Sequence, residues 1–172
     1  VFRIRHSAAG NKVAICSMVE NEPVVSFDFD SSNGGCSSVG PITGTPIGTS
    51  ASHFAGTIDV EFSPDGTKLY ISKFRGNTPS TGGKLYQFDF NSPGSPPVLI
   101  FSVSTSPSVN AKGLQLGPDG KIYFLDMETS SVMQFISVIN DPNIAGSGCN
   151  FVSNDLDLGA SVGGNMSLFP TI

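Results

Sequence analysis

A short strand–turn–strand phrase recurs three times along this chain. It reads FSPDGTKLYI in the middle, LGPDGKIYF towards the end, and RHSAAGNKVAI in a weaker copy at the start. The turn glycines are Gly10, Gly66 and Gly120, so the phrase returns after 56 and then 54 residues. A fixed period of this size indicates a repeat architecture.

The middle repeat holds enough strand-like segments to identify that architecture. Apolar residues alternate along Thr57–Phe62 with the period of two that is typical of a strand. Strands are predicted over Thr57–Phe62, Lys68–Phe74, Lys84–Phe90 and Val98–Val103. Four short antiparallel strands in each repeat are typical of a β-propeller blade. The sequence therefore predicts an all-β fold of about three four-stranded blades.

The turns themselves combine three residue types that favour tight reversals. Proline presets φ, aspartate hydrogen-bonds to its own backbone, and glycine accepts a positive φ. Because these residues recur at one place in each period, a structural role is favoured over a catalytic one. The predicted structural turn residues are Gly10, Pro64, Asp65, Gly66, Pro118, Asp119 and Gly120.

The predicted blades cover residues 1–43, 57–103 and 112–158, followed by a tail over 159–172. Strands are expected over Val1–Arg5, Lys12–Met18 and Val24–Phe29 in the first, and over Gly113–Leu116, Lys121–Asp126, Val132–Ile139 and Phe151–Leu158 in the last. The segments Ser37–Gly56 and Ser104–Lys112 are expected to be loops or edge segments. Propellers typically have 4–8 blades. We therefore expect part of a longer propeller, or association with another copy.

Composition excludes two classes of partner. The chain has 9 Lys and Arg against 14 Asp and Glu, with a net charge of −5. Nucleic-acid-binding domains usually carry a basic face, and nothing here suggests one. No apolar run approaches the roughly 18 residues of a membrane-spanning helix. We expect neither nucleic-acid binding nor a membrane span.

The three cysteines leave at least one thiol unpaired. Cys16 lies in a strand pattern and is expected to be a small buried hydrophobic residue. Cys36 and Cys149 both lie in glycine-rich stretches that are expected to be loops. A bridge between these two could form in an oxidising compartment.

The sequence offers few residues for catalysis or metal binding. Asp28, Asp30 and Asn33 resemble the start of a calcium loop, but the expected glycine and glutamate are missing, so an Asx turn at a strand end is favoured. His6 is expected to pack, and neither it nor His53 belongs to a known nucleophile motif. We predict no catalytic residues, no cofactor and no metal.

Two sets of strand residues admit more than one interpretation. Asp59 and Glu61 alternate with apolar residues and are expected to line a solvated strand face. Tyr70, Tyr86 and Tyr123 could form a platform for carbohydrate, but core packing is the favoured interpretation.

The last repeat carries a resemblance to a known family. It contains GLQLGPDGKIY, then ISVINDPN, GSGCNF and LDL, in that order. This order resembles the C-terminal end of the secreted, WD-repeat-like β-propeller domains of gliding Bacteroidota, which precede adhesin-like repeats or a type 9 secretion sorting domain. The FSPDG and LYQFD stretches fit the same pattern, and the resemblance covers about Val1 to Leu158. It implies export, attachment to the bacterial cell surface and a binding or structural role, with no catalytic residues.

Two functions follow as hypotheses. The first is a noncatalytic module of a secreted or cell-surface protein. Its partner would be another protein, whether missing propeller blades, a second copy or a larger surface assembly, or a glycan. The alternative is a propeller enzyme, such as a lactonase or glycan lyase, with a site on the axis. Such a site needs polar residues converging from several blades, and two histidines in 172 residues make that set sparse.

Overall fold

The protein consists of three four-stranded antiparallel sheets, in each of which every strand pairs with the next along the chain. The structure is a computed structural model that describes residues 2–19, 22–42, 56–73, 83–102, 110–127 and 132–163. These residues contain no α-helix, and one turn of 3-10 helix lies over Gly146–Cys149. Within them, no helix is long and apolar enough to cross a membrane.

The strand bounds follow the repeat. The first sheet contains β1 (Phe2–His6), β2 (Lys12–Ser17), β3 (Val25–Asp30) and β4 (Gly35–Pro41). The second contains β5 (Thr57–Phe62), β6 (Lys68–Lys73), β7 (Lys84–Asp89) and β8 (Val98–Ser102). The third contains β9 (Asn110–Leu116), β10 (Ile122–Met127), β11 (Val132–Ile139) and β12 (Phe151–Gly163).

The sheets pack face to face in chain order, with their first strands together. Strand β5 contacts β1 on one side and β9 on the other. One apolar core lies between the first and second sheets and another between the second and third. Every residue of β5 and β6 is therefore buried. The first strands of the three sheets, β1, β5 and β9, are the inner strands, as in the blades of a propeller. The predicted all-β fold of three four-stranded blades is confirmed.

The structure decides two open boundaries and shifts a third. Strand β4 lies largely in a stretch that was expected to be a loop or an edge segment, and it is an edge strand that pairs with β3. Strand β9 begins at Asn110, inside the second such stretch, and is also an edge strand of its sheet. Strand β12 continues to Gly163 and passes the predicted end of the last blade at residue 158. Residues 164–172 of the expected tail lie outside the described residues.

The repeated turns lie side by side at one end of the sheets. Gly10, Gly66 and Gly120 have φ values of 68°, 70° and 78°, a region that favours glycine. A Cβ atom on Gly66 would lie 3.3 Å from the Cβ of Ser7, so the first and second turns are in contact. A Cβ atom on Gly120 would lie 3.9 Å from Cγ of Pro64, which brings the third turn against the second.

Candidate functional site

A cluster of charged side chains lies where the three inner strands meet. Arg5 of β1 and Glu61 of β5 each stand five residues before the turn glycine of their repeat, and Gln115 of β9 holds the same place. Asp59 stands two residues before Glu61, on the same side of β5. Arg5, Asp59 and Glu61 form the axial cluster.

Asp59 is the most deeply buried member of the axial cluster, with 1% of the residue exposed. Its Oδ2 accepts a hydrogen bond from the Leu114 amide at 3.0 Å and pairs with Arg5 Nη2 at 3.3 Å. Its Oδ1 accepts from the Val60 amide at 3.0 Å. Burial raises the pKa of Asp59, while the Leu114 amide and then the Arg5 guanidinium oppose that rise.

Glu61 repeats the pattern two residues along β5. Its Oε2 accepts from the Leu116 amide at 3.3 Å, and its Oε1 accepts from the Phe62 amide at 3.1 Å. Arg5 Nε lies 3.6 Å from Oε2. Burial raises the pKa of Glu61 as well, and Arg5 is the main influence against that rise.

Arg5 joins all three inner strands. Besides its two carboxylate partners, it donates from Nε to the Val60 carbonyl at 3.3 Å and from Nη2 to the Leu114 carbonyl at 3.4 Å. The carboxylates of Asp59 and Glu61 thus bind backbone amides of β5 and β9, and Arg5 binds carbonyls of the same strands. This use of side chains satisfies backbone groups that no neighbouring strand reaches.

The expectation that Asp59 and Glu61 line a solvated strand face is therefore wrong. Alternation of polar and apolar residues is typical of a strand with one wet face. Strand β5, however, lies between two other sheets, so both of its faces are covered. Arg5 was not singled out from the sequence; the signal that could have found it is the polar residue at the same pre-turn place in each repeat.

A cavity of about 350 Å³ opens beside the axial cluster. Its walls are formed by Ile4, Arg5, His6, Ala8, Glu61, Gln115 and Leu116. His6 is exposed, with Nδ1 3.0 Å from the Ser7 carbonyl oxygen, so the expectation that it packs is wrong. The reason is that β1 turns this side away from the second sheet. His53 lies outside the described residues.

The chemistry available at this cavity is limited. The Arg5 guanidinium is paired with Asp59 and Glu61, and the carboxylate oxygens already accept backbone hydrogen bonds. The part of the chain that the structure describes contains no group of three His, Cys, Asp or Glu side chains placed to hold a metal ion. His6 and Gln115 line the cavity, whereas the charged side chains of the axial cluster behind it are already hydrogen-bonded to the strands.

The predicted turn aspartates lie in the turns, away from the axial cluster. Asp65 Oδ1 accepts from the Thr67 amide at 2.9 Å and from the Ser63 hydroxyl at 2.7 Å. Asp119 Oδ1 accepts from the Lys121 amide at 3.3 Å, and its Oδ2 accepts from the Tyr123 hydroxyl at 2.8 Å. Pro64 and Pro118 precede them in the same turns, so these residues hold local backbone.

The expected Asx turn is confirmed at the end of β3. Asp30 Oδ1 accepts from the Ser32 amide at 2.9 Å, and Oδ2 accepts from the Asn33 side chain at 2.8 Å. These hydrogen bonds, those from Ser32 above all, lower the pKa of Asp30. Asp28 is paired instead with Lys12 at 2.7 Å.

The cysteines and tyrosines fall largely where core packing would place them. Cys16 is buried, as expected, and burial raises the pKa of its thiol to about 12. All three cysteines are free: Cys36 is exposed on β4 and Cys149 is buried, so the structure has no bridge between them. Core packing is confirmed for Tyr70 and Tyr86, which are buried, whereas Tyr123 is half-buried.

No protein-family model matches the chain, and no curated protein has a significantly similar sequence. Among solved structures, it matches the extracellular domain of a candidate one-component system from B. thetaiotaomicron with a TM-score of 0.45 and 13% identity. It also matches a protein from Lactobacillus plantarum with a TM-score of 0.48 and 18% identity. A candidate 6-phosphogluconolactonase from Bacteroides uniformis matches with a TM-score of 0.49 and 20% identity.

These likenesses concern the chain fold alone. The matches cover 83%, 79% and 78% of this chain but only 15%, 36% and 34% of the three solved chains. This chain therefore spans a minor part of the length of each protein that it matches. Its assignment as propeller blades rests on its own sheet order and on the packing of its inner strands.

Proposed function

We propose that this chain is a noncatalytic interaction module of a secreted or cell-surface bacterial protein, of the kind found in gliding Bacteroidota. The observation that carries the proposal is an apolar sheet face left uncovered. Phe2 and Ile4 of β1 are 69% and 64% exposed, and they lie on the side of the first sheet that faces away from the second. Exposed apolar patches of this kind mark interaction sites.

The pairing of the charged side chains in the axial cluster supports the same proposal. Enzyme sites keep polar groups available for substrate, often with pKa values shifted for that purpose. Here the pKa values of Asp59 and Glu61 are raised, but each carboxylate is occupied by two backbone amides and by Arg5. Shifts in such a network have a structural explanation, because the network joins the inner strands of three sheets.

A second candidate function is an enzyme with an axial site, such as a lactonase. The cavity of about 350 Å³ beside Arg5, His6 and Glu61 is the observation in its favour. In such an enzyme Glu61 would have to leave its backbone partners, or His6 would have to act as a base beside it. The alternative is therefore testable by two substitutions, Glu61→Gln and His6→Gln.

The proposed function is tested by measuring binding and turnover on the same preparation. Binding is measured to a glycan array and to the exported protein fraction of a gliding Bacteroidota species; turnover is measured with a sugar lactone. We expect saturable binding that Ile4→Asp weakens at least about tenfold, which corresponds to 1.4 kcal/mol. Leu99→Asp on β8, which is 50% exposed, is the matched control. Hydrolysis of the lactone that Glu61→Gln or His6→Gln abolishes would overturn the proposal.

A further inference from the structure

We infer that the uncovered face of the first sheet docks a further antiparallel β-sheet whose inner strand carries two carboxylates. The docking face consists of Phe2 and Ile4 of β1, Val13 and Ile15 of β2, and Val25 and Phe27 of β3. The inference rests on the proposed interaction role and names the partner that this role requires.

Strand register shows that this same face is covered in the second sheet. Pairing places Ile4 opposite Ile15 and Ile15 opposite Val25, just as Val60 lies opposite Ile71 and Ile71 opposite Tyr86. The corresponding residues of the second sheet are almost wholly buried: Val60, Leu69, Ile71, Tyr86 and Phe88, at 0% to 4% exposure. The first sheet is what covers them.

The third sheet repeats the observation. Its residues in the same register, Leu114, Ile122 and Phe124, are each 0% exposed and are covered by the second sheet. In both places where the face is covered, the cover is a four-stranded antiparallel sheet in chain order. In the first sheet the face is equally apolar, yet Phe2 and Ile4 are exposed and Val13 and Ile15 are only half-buried.

The inner strand β1 has two backbone amides that the covering sheet would have to bind. The Ser7 amide donates to the Lys12 carbonyl at 2.9 Å and closes the ladder between β1 and β2. Hydrogen-bonded and non-hydrogen-bonded pairs alternate in an antiparallel ladder. The peptide groups of Ile4 and His6 therefore point away from β2, towards the side on which the inner strands meet. Their counterparts in β9, the amides of Leu114 and Leu116, are bound by carboxylates of the second sheet.

Strand β1 cannot satisfy those amides with its own side chains. Strand β5 binds its own Val60 and Phe62 amides through Asp59 and Glu61. At the two matching positions β1 carries Arg3 and Arg5, which have no acceptor atoms. Among the described residues, no side chain accepts a hydrogen bond from the Ile4 or His6 amide. A partner with aspartate or glutamate at the two positions would satisfy both groups.

A second copy of this chain does not meet that requirement. In head-to-tail stacking, β9 of one copy would lie beside β1 of the next. Strand β9 carries Gly113 and Gln115 where β5 carries its carboxylates, and Gln115 Nε2 donates to the Leu116 carbonyl of its own strand. The docking face is therefore complementary to a sheet like the second one and not to the third.

The test supplies such a sheet by placing an extra copy of residues 56–110 directly before Val1. This preserves the spacing by which the second sheet precedes β9. The matched control is the same fusion with Asp59→Ala and Glu61→Ala in the added copy only. Amide hydrogen exchange at Ile4 and His6 is measured by NMR in the chain, the fusion and the control. We expect exchange at least about tenfold slower in the fusion than in the other two proteins. Equal rates in the fusion and its control would overturn the requirement for carboxylates.

A second measurement on the unfused chain keeps the inference testable if the fusion does not fold. The fluorescence of 1-anilinonaphthalene-8-sulfonate reports apolar surface; Ile4→Asp should lower it and Leu99→Asp should leave it nearly unchanged. Equal effects of the two variants, or a head-to-tail dimer of the wild-type chain by light scattering, would overturn the assignment of the face. Lactone hydrolysis would overturn the proposed function while leaving the exchange rates of the fusion as they are, so the two failures are distinguishable.

Discussion

The turn residues show how one backbone reversal is stabilised in different ways. In the second turn, Ser63 donates its hydroxyl to Asp65 and accepts from the Lys68 amide at 2.9 Å. The third turn has Gly117 in place of that serine, and a Cβ there would lie 2.6 Å from the Tyr123 ring. The tyrosine hydroxyl binds Asp119 instead. The sequence predicted both turns from Pro-Asp-Gly, but it could not indicate this exchange of partners.

Asp65→Ala should lower stability without affecting binding. The substitution removes the acceptor for the Thr67 amide and for the hydroxyls of Ser63 and Thr67. By analogy with other local side-chain caps, we expect a loss of about 0.5–2 kcal/mol in the free energy of unfolding. Asp119→Ala should act in the same direction. Denaturant titration measures both; loss of binding at an unchanged melting temperature would make these residues functional instead.

The three thiols should differ sharply in reactivity. Cys36 is exposed, whereas Cys16 and Cys149 are buried, and burial raises the pKa of both buried thiols. Because the thiolate is the reactive form, one equivalent of Ellman's reagent should react rapidly and two more only on unfolding. Cys36→Ser should remove the fast phase. A folded protein with one reactive thiol and a bridged pair would contradict this assignment.

At the scale of the strand, the periodicity of the sequence predicted where β5 lies but not which sheets surround it. The bounds of β5 are those predicted from alternation over Thr57–Phe62. Alternation could not show that sheets on both sides bury Asp59 and Glu61, because a strand with one wet face has the same pattern. Nor could composition decide between a loop and an edge segment for β4, which pairs with β3 despite its glycines. The burial and the pairing that neighbouring strands and sheets impose leave no signal in the sequence of the strand itself.

Asp59→Ala should be among the most destabilising single substitutions in the chain. It leaves Arg5 with one carboxylate partner fewer and removes the acceptor for the buried Val60 and Leu114 amides. Removing one partner of a buried ion pair typically costs about 3–5 kcal/mol. Asp59→Asn keeps one acceptor oxygen and should cost less. Chemical denaturation measures both; a loss below about 0.5 kcal/mol for Asp59→Ala would show that the inner strands do not depend on this contact.

The axial cluster also sets a pH dependence of stability. Burial raises the folded-state pKa of Asp59 and Glu61 above the unfolded values of about 3.9 and 4.3. Between the unfolded and folded values the folded state binds more protons, so stability falls as pH rises through that window. The free energy of unfolding of the wild type, minus that of Asp59→Asn/Glu61→Gln, should therefore decrease from about pH 4 upwards. A difference that grows with pH would contradict the raised pKa values.

At the scale of the whole molecule, the sheets interact as neighbours in a row. The second sheet is covered on both faces, and its Gln87 also anchors the loop of the third sheet, donating to the Ile144 carbonyl at 2.8 Å and accepting from the Gly146 amide at 2.7 Å. The first sheet is covered on one face, and Arg5 joins it to the third sheet through a hydrogen bond to the Leu114 carbonyl. The repeat spacing predicted this order, because each blade packs on the next.

That order predicts how the molecule opens. Native-state hydrogen exchange, followed by mass spectrometry, should find the slowest amides in β6 and β7, which lie between two cores. Amides of β2 and β3 should exchange faster, since one face of their sheet is uncovered. Arg5→Ala should speed exchange more in the first sheet than in the third, because β1 loses its hydrogen bonds to both neighbouring strands whereas β9 loses one, at the Leu114 carbonyl. Equal protection in all three sheets, or equal acceleration by Arg5→Ala, would mean that the chain opens as one unit.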